Sequence, residues 1–90
     1  MKERISIMNL NPRECKLLRI NELAEKLCLR RSTIYSHMNK GLIPPNFKIG
    51  DRAVVWLESE VNRVLQARIE GCNTLEIKNL VKQLVLDRKK

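Results

Sequence analysis

Three cysteines, a single histidine and ten carboxylates are the groups in this 90-residue chain that could ligate a metal or run acid–base chemistry. Their spacing argues against both. Cys15, Cys28 and Cys72 are far apart and form no C-x-x-C pair, whereas a structural zinc site draws about four Cys or His ligands from two close pairs. An odd number of scattered cysteines reads as reduced, cytosolic thiols. His37 is the sole imidazole. No serine or cysteine lies in a motif that supplies it with a base, and no glycine-rich loop is present to cradle a phosphate. Glu58 and Glu60 are the closest carboxylates, but residues two apart on a helix point to different faces. They serve better as negative charge in a helix's first turn. The chain therefore reads as no enzyme, with no cofactor and no metal.

Binding of anions is the chemistry that remains. Lysine and arginine number 18 against 10 acidic residues, giving a net charge of +8 and a pI of about 9.9. Between positions 30 and 52, Arg30, Arg31, Lys40, Lys48 and Arg52 face only Asp51, a local +4, while residues 57–71 are slightly acidic. A concentrated basic segment suits a polyanion such as DNA. Ninety residues make one domain with a modest core. A composition of 43% hydrophobic and 31% charged residues excludes a disordered tail. No run approaches the roughly 18 apolar residues of a membrane span, and the Met-Lys-Glu-Arg start has no apolar stretch behind it to direct export.

For those basic residues to act together, folded elements must bring them to one face. Residues 1–16 lack a clear period and contain Asn11-Pro12, so they read as an irregular N-terminal arm. Leu17, Leu18 and Ile20 form a short strand or pack on the helix after them. Asn21 stands as an N-cap before Glu22, and Ile20, Leu23, Ala24 and Leu27 share a stripe, which predicts a helix over about 22–28. A second helix is expected from about Arg31 to Lys40, stopped by Gly41 as a left-handed C-cap. Two short helices so close make a helix-turn-helix. In the second helix Ile34 and Met38 point inward, leaving Ser32, Tyr35, Ser36, Asn39 and Lys40 on or beside the outward arc. Arg30 and Arg31 lie at its N-terminal end, where the dipole and free N–H groups favour phosphate. Tyr35 fits a half-buried position equally well, and His37 suits the surface or its boundary.

Past Gly41 the sequence Leu-Ile-Pro-Pro cannot stay helical. Phe47-Lys48-Ile49 and Ala53-Val54-Val55-Trp56 then bracket Gly50-Asp51-Arg52, which predicts a hairpin with Lys48 and Arg52 at or near its tip. A basic hairpin directly after a helix-turn-helix is a wing, placed to touch phosphate or the minor groove. Trp56 belongs to the core. A third helix is expected at about 58–70 on the stripe Leu57, Val61, Val64, Leu65 and Ile69, ended by Gly71. Asn73 to Glu76 form a capping box that opens a fourth helix. Its stripe of Ile77, Leu80, Val81, Leu84 and Val85 serves either the chain's own core or a homodimer. Lys78, Lys82 and Lys89 lie on one solvated flank, and Arg88-Lys89-Lys90 read as a frayed basic tail.

Five ordered patches also carry a resemblance. Leu17-Leu-Arg-Ile-Asn-Glu-Leu, Leu29-Arg-Arg-Ser-Thr-Ile-Tyr35, Gly41-Leu-Ile-Pro44, Ile49-Gly-Asp-Arg-Ala53 and Trp56-Leu-Glu-Ser-Glu-Val61 resemble the AlpA family. These are small regulators of bacterial phages and genomic islands, related to MerR-like winged helix-turn-helix proteins and to excisionases. The resemblance covers about residues 17–69. It implies that Arg31, Ser32, Thr33 and Tyr35 belong to a recognition helix and Lys48 to Arg52 to the wing. Arg30 stands where the family usually has a capping Ser.

The fold expected is mainly α with a small β-hairpin wing: a MerR-like winged helix-turn-helix over 17–70 and a C-terminal amphipathic helix with basic tail over 72–90. The function expected is that of a sequence-specific regulator of transcription acting on double-stranded DNA, in the bacterial cytoplasm at the nucleoid. Its candidate contacts are Arg30, Arg31, Ser32, Thr33, Tyr35, Ser36, Asn39, Lys40, Lys48 and Arg52. One alternative is a recombination directionality factor that bends attachment-site DNA for an integrase. Another is a helical protein-interaction module built on the 77–85 stripe.

Overall fold

Apolar periodicity and helix-stop residues order the described residues into seven elements. The computed structural model describes residues 16–89, so the expected arm before Lys16, Cys15 included, and Lys90 lie outside the described residues. In chain order the elements are β1 (Leu17–Leu18), α1 (Ile20–Leu27), α2 (Arg31–Asn39), β2 (Phe47–Ile49), β3 (Ala53–Leu57), α3 (Glu58–Ile69) and α4 (Thr74–Asp87). The fold is mainly helical with a small antiparallel sheet, consistent with a winged helix.

The hairpin pairs Phe47 with Val55, Lys48 with Val54 and Ile49 with Ala53, leaving Gly50, Asp51 and Arg52 as its loop. Gly50 supplies the left-handed φ of 71° that this tight turn requires. Leu17 and Leu18 are a strand: they pair with Leu57 and Trp56, making β3 the centre of a β1-β3-β2 sheet. The Glu58 N–H extends this seam by donating to the Lys16 carbonyl at 2.9 Å.

Helix ends obey local chemistry, with one displacement. α1 begins at Ile20, capped at Arg19 rather than at the expected Asn21. The Glu22 carboxylate accepts from the Arg19 N–H at 2.9 Å, and this fixes the start two residues earlier than Asn21 would. α1, α2 and α3 all close with paired bonds of the Schellman type. At Cys28, the Leu29 N–H reaches the Ala24 carbonyl at 3.1 Å and the Cys28 N–H the Glu25 carbonyl at 3.3 Å. Gly41 and Gly71 hold the same left-handed position after α2 and α3, as expected. Asn73 and Glu76 cap α4 reciprocally, at 2.9 and 2.8 Å.

Two apolar clusters fill the interior. Leu18, Leu23, Ile34, Ile43, Trp56 and Val61 join the sheet to α1, α2 and α3. Val64, Ala67, Ile77 and Val81 join α3 to α4. Four residues of the α4 stripe serve the chain's own core: Ile77 and Val81 are 1% and 5% exposed, and Leu80 and Leu84 pack against the same cluster. Ile69 departs from the expected α3 stripe and is 73% exposed. The buried side of α3 runs instead through Glu60, Val61, Val64 and Ala67.

Candidate nucleic-acid interface

The two faces of α2 divide as its spacing requires. Ile34 is fully buried and Met38 packs partly against the first cluster. Arg30, Arg31, Ser32, Tyr35, Ser36, Asn39 and Lys40 are exposed, and Thr33 is half-buried. Arg30 is the N-cap, in an extended conformation and with no side-chain cap, so a Ser-type cap is missing there. The first amide of this end to find a backbone partner is that of Ile34, which donates to Arg30 at 3.0 Å. A helix N-terminus flanked by two guanidinium groups favours a negatively charged group.

A ring contact ties the outward face to the sheet. Tyr35 is 40% exposed, and its ring centroid lies 6.1 Å from that of Trp56, tilted by 58°. Because Trp56 is fully buried in β3, the contact sets the face of α2 beside the strand that carries the hairpin. On the hairpin Lys48, Ile49, Asp51 and Arg52 are exposed. The structure thus places the ten residues expected from the sequence on α2 with its two ends and on the hairpin, and the Tyr35–Trp56 contact joins α2 to β3. Arg31 has an additional role, since it donates to the Asn21 side-chain oxygen and so joins the start of α2 to the first turn of α1. His37 is half-buried, as a boundary residue would be.

Sequence position alone does not mark Glu60 and Arg88 as a pair. Glu60, in the first turn of α3, is only 5% exposed, and Arg88 approaches it from the end of α4 with Nε 2.7 Å from Oε2. The bond to Glu60 raises the Arg88 pKa above its ordinary value, against the opposing effect of partial burial. Arg88 is therefore not part of a frayed tail. One signal was present: Glu60, Val64 and Ala67 share a face by helical spacing, so the buried stripe of α3 contains a carboxylate that needs a partner.

Among the described residues no three His, Cys, Asp or Glu side chains gather as a metal site needs, and no helix is long and apolar enough to cross a membrane. What the fold and exposed face define is a small winged-helix-like domain with a basic helix end and hairpin. The model of a family described as "Prophage CP4-57 regulatory protein (AlpA)" matches residues 16–69, more than half of the chain. The chain belongs to the AlpA family of phage regulatory proteins. It is also 41% identical over 56 residues to a protein of Enterobacteria phage P4 described as "Uncharacterized protein ORF88". That match spans 62% of this chain and 64% of the relative, just under two thirds of the relative's length. No solved structure matches the chain significantly.

Proposed function

We propose that the chain is a sequence-specific DNA-binding regulator of phage or genomic-island type, which lays the start of α2 in the major groove and its hairpin on the flanking backbone. The observation that carries this is the outward face of α2, polar and uncapped at a basic end, joined through the Tyr35–Trp56 contact to the strand that leads from a basic hairpin, all within the family-matched segment. Arginine and serine can bond guanine and other base edges in the major groove, and asparagine can bond adenine. Arg31, Ser32, Thr33, Tyr35, Ser36 and Asn39 would supply those contacts. Arg30, Lys40, Lys48 and Arg52 would fix register on phosphates, which position without specifying sequence. In this reading residues 17–70 are the DNA-binding unit and α4 buttresses it.

The test begins by selecting bound duplexes from a random pool and then titrating variants on the selected site. Arg31→Ala and Ser32→Ala are each expected to weaken specific binding by about 1–3 kcal/mol. Unchanged affinity in both would overturn the assignment of α2. Mapping bound sites in a cell that carries the element then separates outputs: promoters indicate control of transcription, and an attachment site indicates the directionality-factor alternative.

A further inference from the structure

The hairpin has little to hold its outer strand. β2 lies at the edge of the sheet, pairs with β3 through three residues, and exposes Lys48 and Ile49. A two-stranded hairpin is marginal in water unless something packs on it. At its base stands Arg88, which lies beyond the family-matched segment. Its Nε and Nη2 donate in parallel to the Glu60 carboxylate, at 2.7 and 2.5 Å. Nη2 also donates to the Pro45 carbonyl at 2.8 Å, and the guanidinium carbon lies 5.4 Å from the Phe47 ring centroid. Pro45 and Phe47 flank the point where the chain enters β2. A planar, permanently charged guanidinium can serve a carboxylate, a carbonyl and a ring face together, and an ammonium cannot reproduce that geometry.

We infer that Arg88 is a positioning residue for the hairpin, clamping its entry to the head of α3 so that Lys48 and Arg52 are held in fixed relation to α2. The clamp stands on the contacts alone, whereas its consequence for DNA rests on the function proposed above. Arg88 itself is a poor phosphate contact, since Glu60, Pro45 and Phe47 already occupy its guanidinium. α4 thus contributes to the interface without touching it.

Removing Arg88 alone would strand a buried carboxylate and weaken the whole chain. The decisive variant is therefore the double change Glu60→Leu with Arg88→Met, which removes both charges, and Arg88→Lys is its milder companion. Amide hydrogen exchange on the full chain is the first readout. In the double variant β2 should exchange faster by on the order of tenfold, with α1 and α2 unchanged, and Arg88→Lys should shift β2 in the same direction. Unaltered protection of β2 in the double variant, or equal loss across α1 and α2, would overturn the clamp. The second readout is titration with a mixed-sequence DNA duplex over a range of salt. The double variant should show a shallower salt dependence, and adding Lys48→Ala and Arg52→Ala should change it little further. Fully additive losses would overturn the link from clamp to DNA. A wild-type chain that binds no duplex at any salt would remove the DNA-binding reading, and the exchange experiment would still decide the clamp.

Discussion

Cys28 occupies a backbone position that glycine holds after α2 and α3. Its φ of 57° is left-handed, a region that costs an L-residue roughly 1–2 kcal/mol because Cβ crowds the following carbonyl. Glycine escapes that cost but loses more freedom on folding. Cys28→Gly is therefore expected to stabilise the chain by at most about 1 kcal/mol, read as a rise of a few degrees in thermal midpoint. Cys28→Val should lower the midpoint, since a β-branched side chain fits that region worst. Neither the cap role of Cys28 nor the bond from Arg31 to Asn21 was legible in the sequence. Cysteine is no typical left-handed residue, and Asn21 has the chemistry of a cap although Arg19 and Glu22 take that place. By contrast, the exposure of Ser32, Ser36 and Asn39 was legible, because it comes from the inward pull of Ile34 and Met38 four residues apart.

The hairpin and α4 can be tested as units. Lys48 and Arg52 are exposed on a loop and strand that present no other base. If they meet phosphate, removing both charges should reduce the slope of log affinity against log salt by about 2, measured by anisotropy titration at several salt concentrations. For α4, Ile77→Ala removes a fully buried side chain and should cost about 2–5 kcal/mol in urea unfolding. Leu75→Lys, on a residue 66% exposed, should stay within about 0.5 kcal/mol. Equal losses in the two would mean that α4 does not bury the face assigned to it. Gly41, Gly71 and the Asn73 to Glu76 box could be read in advance because their stop and start chemistry is local. The strand at Leu17 could not be settled, since two residues acquire that identity only when Leu57 and Trp56 arrive opposite them. Ile69 misled for a related reason: the burial of α3 is decided by where α4 lies, not by the period of α3 alone.

Across the chain the interior is divided, with one apolar cluster under the helix-turn-helix and sheet and another between α3 and α4. Ile34 and Ile77 belong to different clusters, so Ile34→Val and Ile77→Val should each cost about 0.5–1.5 kcal/mol. Their sum should match the double variant within about 0.5 kcal/mol in equilibrium denaturation. A larger discrepancy would show that the two clusters share strain. The charge pattern has a matching division. The local +4 from Arg30 to Arg52 lies on the helix and hairpin that face outward. The pairing of Arg88 with Glu60 instead joins α4 to α3 and the hairpin base, a use of charge that net composition cannot reveal.

The pairing of β1 with β3 also bears on the order in which the chain folds. Positions 17 and 57 stand on either side of α1, α2 and the hairpin. The turn between α1 and α2 and the hairpin are joined by contacts near in sequence, whereas joining β1 to β3 must close the whole loop and bear its entropy. Pairing of Leu17 and Leu18 with β3 is therefore expected to fall among the later steps of refolding.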